Sequence, residues 1–131
     1  MGGLPTELQV LSWSVTLLFV HLLAQGLTAI RDQGLAYNAG PRDEARPLGI
    51  VAGRARRALS NYLETYPAFV ALALGLAVAG RTGGLGEVGA VLWIASRVVF
   101  LLLYVAGVPW LRTLAFAASL IGLVLMGARL A

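Results

Sequence analysis

Four apolar stretches, each about as long as a bilayer is thick, leave this chain few ways to fold. An apolar run of about 20 residues crosses the hydrocarbon core as a helix. Residues 7–30, 58–80, 88–108 and 111–130 are such runs within a chain of 131 residues. Composition agrees, with 59% apolar and 12% charged residues and a mean hydropathy of +0.82. An ordinary soluble domain carries roughly 25% charged residues, and a small one has too much surface to cover with so few. A soluble globular protein, a disordered chain and a nucleic-acid-binding module are therefore excluded. The fold expected is all-α: one integral membrane domain over residues 1–131, a bundle of four transmembrane helices in contact with lipid. The first run lacks a basic start and is too long for a signal peptide. With no cysteine, there is no disulfide, thiolate metal site or cysteine nucleophile. One histidine and six acids leave no material for a histidine-rich metal centre, and no metal is expected.

The connections carry the topology. RTGGLGE at 81–87 and AGVPW at 106–110 are tight turns, which make the flanking spans antiparallel. The long connection, 31–57, holds Arg31, Arg42, Arg46, Arg54, Arg56 and Arg57, six of the ten arginines, and the chain has no lysine. Basic residues near span ends stay in the cytoplasm. That puts both termini on the non-cytoplasmic side of a multi-pass protein. Trp13 and Trp93 then fall near the outer interface and Trp110 near the inner one. Arg42, Arg46 and Arg56 read most simply as topology signals and contacts to anionic lipid.

Polar side chains inside a span need a reason, because a charge at the centre costs at least about 2.5 kcal/mol. The second span opens RARRALSNYLETYP. Arg54, Arg57, Asn61 and Glu64 fall at i, i+3, i+7 and i+10 and share one helix face. At this spacing Asn61 can bridge Arg57 and Glu64. The third span carries Arg97 and Tyr104, also on one face, with Phe100 between them. Given the orientation, these groups collect in the cytoplasmic leaflet with Arg31 and Arg112. They describe a cationic pocket for an anionic, polar ligand that meets an apolar one. The bland alternative is an Arg97–Glu64 ion pair across helices with Asn61 as interhelical glue. His21 and Gln25 read as interhelical hydrogen bonders, and Tyr62 and Tyr66 as aromatic packing. Ala115, Ala117, Ala118, Ser119 and Gly122 read as a close helix contact. No hydrolase, nucleotide-binding or metalloprotease motif is present. Any nucleophile must come with a substrate.

The stretch RARRALSNYLETYP, through Arg57, Asn61, Glu64 and Pro67, resembles the second-helix signature of the MAPEG family, the membrane-associated proteins of eicosanoid and glutathione metabolism. LWIASRVVFLLLYVAGVPWLR is similar to that family's third helix and following turn. The GPRDEARPLG loop resembles the bacterial branch, which implies a bacterial inner membrane. The resemblance implies a homotrimer of four-helix subunits, with glutathione as co-substrate between neighbours. Arg31, Arg54, Arg57, Asn61, Glu64 and Arg97 would bind it, and Arg112 and Tyr104 would be catalytic. The implied chemistry is attack of the glutathione thiolate on a lipophilic small molecule, as in a transferase or peroxidase. Phe100 and Leu59 differ from the tyrosine and the glutamine or histidine of eicosanoid-forming members. Two other readings remain: a small four-helix transporter that uses an intramembrane carboxylate, and a structural membrane protein without chemistry.

Overall fold

A computed structural model describes residues 3–131, and these are all-helical, with no strand. The elements are α1 (Thr6–Gln33), α2 (Leu35–Ala39), α3 (Ile50–Val78), α4 (Leu85–Ala106) and α5 (Pro109–Leu130). Four of these match the four helices expected in number and order, and one more lies in the long connection. That one, α2, is a single five-residue turn. The start of α3 departs from expectation. Its helix begins eight residues before the apolar run, because the arginines of that segment are good helix formers and continue it outward. Pro67 lies inside α3 without ending it.

Helices α1, α4 and α5 are long and apolar enough to cross a membrane. At 29 residues α3 is longer than any of them. Its first half, with Arg54, Arg56, Arg57, Asn61 and Glu64, is too polar to meet the same standard. The outward faces are apolar: Phe19, Leu23 and Leu27 on α1 and Leu114, Ile121 and Val124 on α5 are exposed. Water does not tolerate that much exposed apolar surface on a small protein, whereas acyl chains do.

Inside the bundle α1, α3 and α4 meet on an aromatic core. The indole of Trp93 stacks on Phe69 at 3.9 Å between ring centroids and lies parallel to Tyr66 at 6.0 Å. Trp93 is fully buried, which corrects its expected place at the outer interface; Trp13 and Trp110 are exposed. An indole is as much a packing group as an interfacial one, and sequence position alone does not separate the two. Tyr62 donates to the Ser14 carbonyl at 2.6 Å, and the hydroxyls of Ser14 and Tyr66 are 3.0 Å apart, so the tyrosines tie α3 to α1 as well as pack.

Helices α4 and α5 make the closest crossing, at Gly89 and Gly122. A Cβ on Gly122 would stand 2.6 Å from the Gly89 carbonyl oxygen, and one on Gly89 would stand 2.5 Å from that of Gly122. Both obstacles are backbone and cannot swing aside. Gly122→Ala should therefore destabilise the protein in detergent by about 1–3 kcal/mol through overpacking. Helix propensity alone predicts the opposite sign, a gain of about 1 kcal/mol. A raised melting temperature for this variant would contradict the close crossing.

The end of the bundle opposite α2 is latched by charged groups. Glu7 is fully buried, and its Oε1 accepts from the Gly83 N–H at 2.6 Å. Arg129 donates to the Arg81 carbonyl at 2.9 Å, and Arg81 donates back to that of Leu130 at 3.0 Å. The α3–α4 turn is thus fastened to the start of α1 and the end of α5.

Candidate functional site

The other end of the bundle gathers most of the remaining polar side chains, and the turn between α4 and α5 sets their geometry. Helix α4 ends on Gly107, whose φ of 79° is left-handed and whose N–H closes on the Tyr104 carbonyl at 3.1 Å. Pro109 then starts α5 at its first turn. So tight a reversal brings Arg112 back over Tyr104, with the guanidinium carbon 4.5 Å from the ring centroid. From α3, Arg57 Nε donates to the Tyr104 hydroxyl oxygen at 3.2 Å. One turn earlier, Arg54 Nη1 donates to the Val105 carbonyl at 3.3 Å. A Cβ at Gly107 would stand 2.7 Å from the Arg54 guanidinium carbon. Gly107 therefore serves twice, for its backbone and for the space it leaves Arg54.

Tyr104 thus sits between two cations. Its oxygen accepts from Arg57, which leaves the phenolic hydrogen free for a third group. Beside it, α3 and the loop before it border an open cavity of about 650 Å³ lined by Arg46, Arg54, Arg56 and Arg57 together with Gly49 and Gly53. Its size is in the range of small-molecule sites. The lining carries four guanidinium groups and no carboxylate, which suits an anion.

A second group lies one to two turns deeper. Arg97 on α4 is fully buried and donates from Nη1 to Asn61 Oδ1 at 2.8 Å. Its guanidinium carbon is 4.5 Å from the Phe100 centroid and 5.4 Å from that of Tyr62. Nε and Nη2 have no hydrogen-bond partner. Two expectations are corrected here. Arg97 forms no ion pair with Glu64, and among the described residues the one ion pair is Arg31 with Asp32 at 3.3 Å. Nor does Asn61 bridge Arg57 and Glu64. A short amide reaches one partner, and the long Arg97 side chain from α4 arrives first.

Glu64 is exposed on the outward side of α3 and makes no hydrogen bond among the described residues. Arg31, in the last turn of α1, contacts Asp32 and makes no hydrogen bond to the Tyr104 group. His21 is buried against the Tyr62 ring at 4.7 Å with neither nitrogen hydrogen-bonded, which corrects its expected role as an interhelical bonder. Among the described residues no cluster of histidine, aspartate and glutamate could hold a metal. An apolar cleft of about 420 Å³ between α1 and α4 is lined by Trp13, Leu17, Ile94 and Val98.

Spacing therefore put Arg54, Arg57, Tyr104 and Arg112 at one end of the bundle, and the structure joins them. It left unforeseen the contact between Arg54 and the α4 C-terminus. The one available signal was the glycine of AGVPW, which reads as a turn and not as room for a guanidinium. The MAPEG family model matches residues 10–131. No curated protein and no solved structure matches the chain.

Proposed function

This chain belongs to the MAPEG family of membrane proteins, and on that premise we propose that it is a glutathione-dependent enzyme acting on lipophilic electrophiles. The observation that carries this reading is Tyr104, its hydroxyl bonded by Arg57 and its ring covered by Arg112, beside a cavity lined by arginines. Glutathione has two carboxylates, one amine and a thiol. Arg54 and Arg57 would take a carboxylate, since guanidinium groups bind carboxylates through paired hydrogen bonds. Glu64 would accept from the amine or an amide. Arg97 would hold Asn61 in place for the peptide portion.

At the sulfur, Tyr104 and Arg112 would favour the thiolate. A free thiol has a pKa near 8.5, and an adjacent cation lowers it. The bond from Arg57 makes the Tyr104 hydroxyl a stronger donor toward sulfur, because chained hydrogen bonds polarise one another. In conjugation, the thiolate attacks an electrophilic carbon, a C–S bond forms, and the leaving group departs with its electron pair. In peroxide reduction, the thiolate attacks one oxygen and the O–O bond breaks. A second glutathione then displaces the oxidised sulfur's hydroxyl, which gives the disulfide, an alcohol and water.

The assembly proposed is a homotrimer in a bacterial inner membrane, with α1, α3, α4 and α5 all spanning and both termini outside. Exposed Glu64 and Arg57 on α3 support it, because an ionised stripe facing lipid is costly and a neighbouring subunit would cover it. Arg31, exposed at the end of α1, would then complete the site from the adjacent subunit. A proton-coupled exporter of cations would also use an intramembrane carboxylate, but the arginines gathered at the same end of the bundle oppose a cationic substrate.

Glutathione and an S-alkyl analogue at millimolar concentration should raise the melting temperature in detergent, and proton-coupled cation transport should be absent. No shift, together with no heat of binding, would leave a structural role for this fold. For the orientation, a cysteine placed at Asn38 should label from the cytoplasm and one at Thr82 from outside. For assembly, the folded protein in mild detergent should have the mass of three subunits, and a monomeric mass would contradict the shared site.

A further inference from the structure

A second cationic cleft adjoins the first, sharing Arg46, Leu48 and Arg56 with it. It has a volume of about 570 Å³ and is bounded by the end of α1, the loop before α3 and the adjoining stripe of α3. Arg42, Arg46 and Arg56 line it, with the amides of Gln25 and Asn38. Arg54, Arg57, Tyr104 and Arg112 do not. On α3 the stripe is Arg56, Ser60 and Leu63, at i, i+4 and i+7, about a quarter-turn from Arg57 and Glu64. No carboxylate lines the cleft: Asp43 and Glu44 border a separate cavity of about 300 Å³, and Asp32 is engaged by Arg31 and the Gly49 N–H.

The loop is held in this shape by its own bonds. Gln33 and Arg46 exchange hydrogen bonds with each other's backbone carbonyls at 2.6 and 3.1 Å, and the Arg46 guanidinium lies 4.6 Å from the Tyr37 ring centroid. Arg42 is the one non-glycine among the described residues with a left-handed backbone, at φ 59°. That conformation is unfavourable for an L side chain with a Cβ. It returns the guanidinium to the Asn38 carbonyl, which accepts from Nη2 at 2.8 Å and Nε at 3.0 Å, and it leaves Nη1 unengaged. Arg56 makes no hydrogen bond among the described residues. Two guanidinium groups held in place and a third that is unengaged, all with spare donors, thus border one space.

We propose that this cleft binds the glycerol-phosphate headgroup of an anionic phospholipid. Its position argues for a lipid over free phosphate. The cleft opens beside α1, which is apolar enough to span, and its α3 wall continues as Leu59 and Leu63, the latter exposed. A headgroup among the arginines would leave an acyl chain running along these leucines. Gln25, whose amide is unpaired, and Asn38 Oδ1 are placed for the glycerol hydroxyls. The phosphate meets three cations, and a zwitterionic headgroup would bring its own ammonium among them.

Native mass spectrometry of the full chain in detergent, with added phosphatidylglycerol or phosphatidylcholine, tests this. Phosphatidylglycerol should be retained at least tenfold better. Arg56→Gln removes a charge that makes no hydrogen bond but also borders the first cavity, and Arg42→Gly removes one that does not border that cavity while relieving the left-handed backbone. Each should weaken retention about fivefold, the usual worth of one basic residue at an anionic surface. Arg129→Gln, the same charge change at the opposite end, should leave retention unchanged. Glutathione binding should persist in Arg42→Gly, which separates this cleft from the Tyr104 site. Equal retention of the two lipids, or undiminished retention in Arg42→Gly and Arg56→Gln, overturns the proposal. Displacement of the lipid by equimolar inorganic phosphate also overturns it, in favour of a soluble phosphate ligand.

Discussion

Arg57→Ala is expected to abolish measurable glutathione binding, whereas Arg46→Ala changes it by less than about threefold. Arg57 has two duties in the proposed site. It would bind a carboxylate of the ligand, and it donates to the Tyr104 hydroxyl at 3.2 Å. Losing one partner of a charge-assisted contact that binding buries costs about 3 kcal/mol or more. That is on the order of a hundredfold in Kd. Arg46 also borders the cavity, but its guanidinium is committed to Tyr37 and to the Gln33 carbonyl. A charge at the rim contributes little once salt screens it. Arg112→Ala should behave differently from both. Its guanidinium lies over the Tyr104 ring and not on a described hydrogen-bond partner, so affinity should fall less than thiolate absorbance in the ultraviolet. Calorimetry gives the first pair and absorbance the third. Equal affinities for wild type and Arg57→Ala would remove the arginine-bound thiol from consideration.

How much of this was legible depends on the length scale of the signal. Membrane helices are written in runs of about 20 residues, so α1, α4 and α5 could be bounded to within about three residues. The α3 start could not, because helix propensity outlasts the apolar run wherever arginines follow it. Helix periodicity and two short turns put Arg57, Tyr104 and Arg112 at one end. Pairing was another matter. Which of Arg57, Glu64 or Arg97 meets Asn61 depends on rotation between helices, which no local stretch of sequence encodes. Trp93 is a similar case. Its neighbours Phe69 and Tyr66 come from α3, and nothing in the local sequence of α4 distinguishes an indole facing the core from one facing headgroups. Gly122 was legible as a close contact, but its counterpart Gly89 was not, since one glycine in an apolar run has no visible partner until the crossing is known.

The Asn61–Arg97 contact yields the other large effect, on stability. Asn61→Ala should destabilise the folded protein by about 3 kcal/mol, because it strips a buried cation of its one hydrogen-bond acceptor among the described residues. The rings of Tyr62 and Phe100 still face the guanidinium, and a desolvated cation–π contact contributes about 2 kcal/mol. They soften the loss without replacing an acceptor. Arg97→Met should cost far less. Its chain fills similar volume against Phe100, no charge is left behind, and Asn61 is only partly buried, so its freed amide is not stranded in the core. Replacing a buried charged group by a well-packed apolar one is often neutral or stabilising. In the double variant the damage from Asn61→Ala should largely disappear, since there is no longer a cation to strand. Thermal unfolding of the four proteins in one detergent measures this as a coupling energy. If Asn61→Ala melts like wild type, Arg97 has another acceptor. If the two single losses simply add, the pair is not a unit, and Arg97 is held by its aromatic neighbours alone.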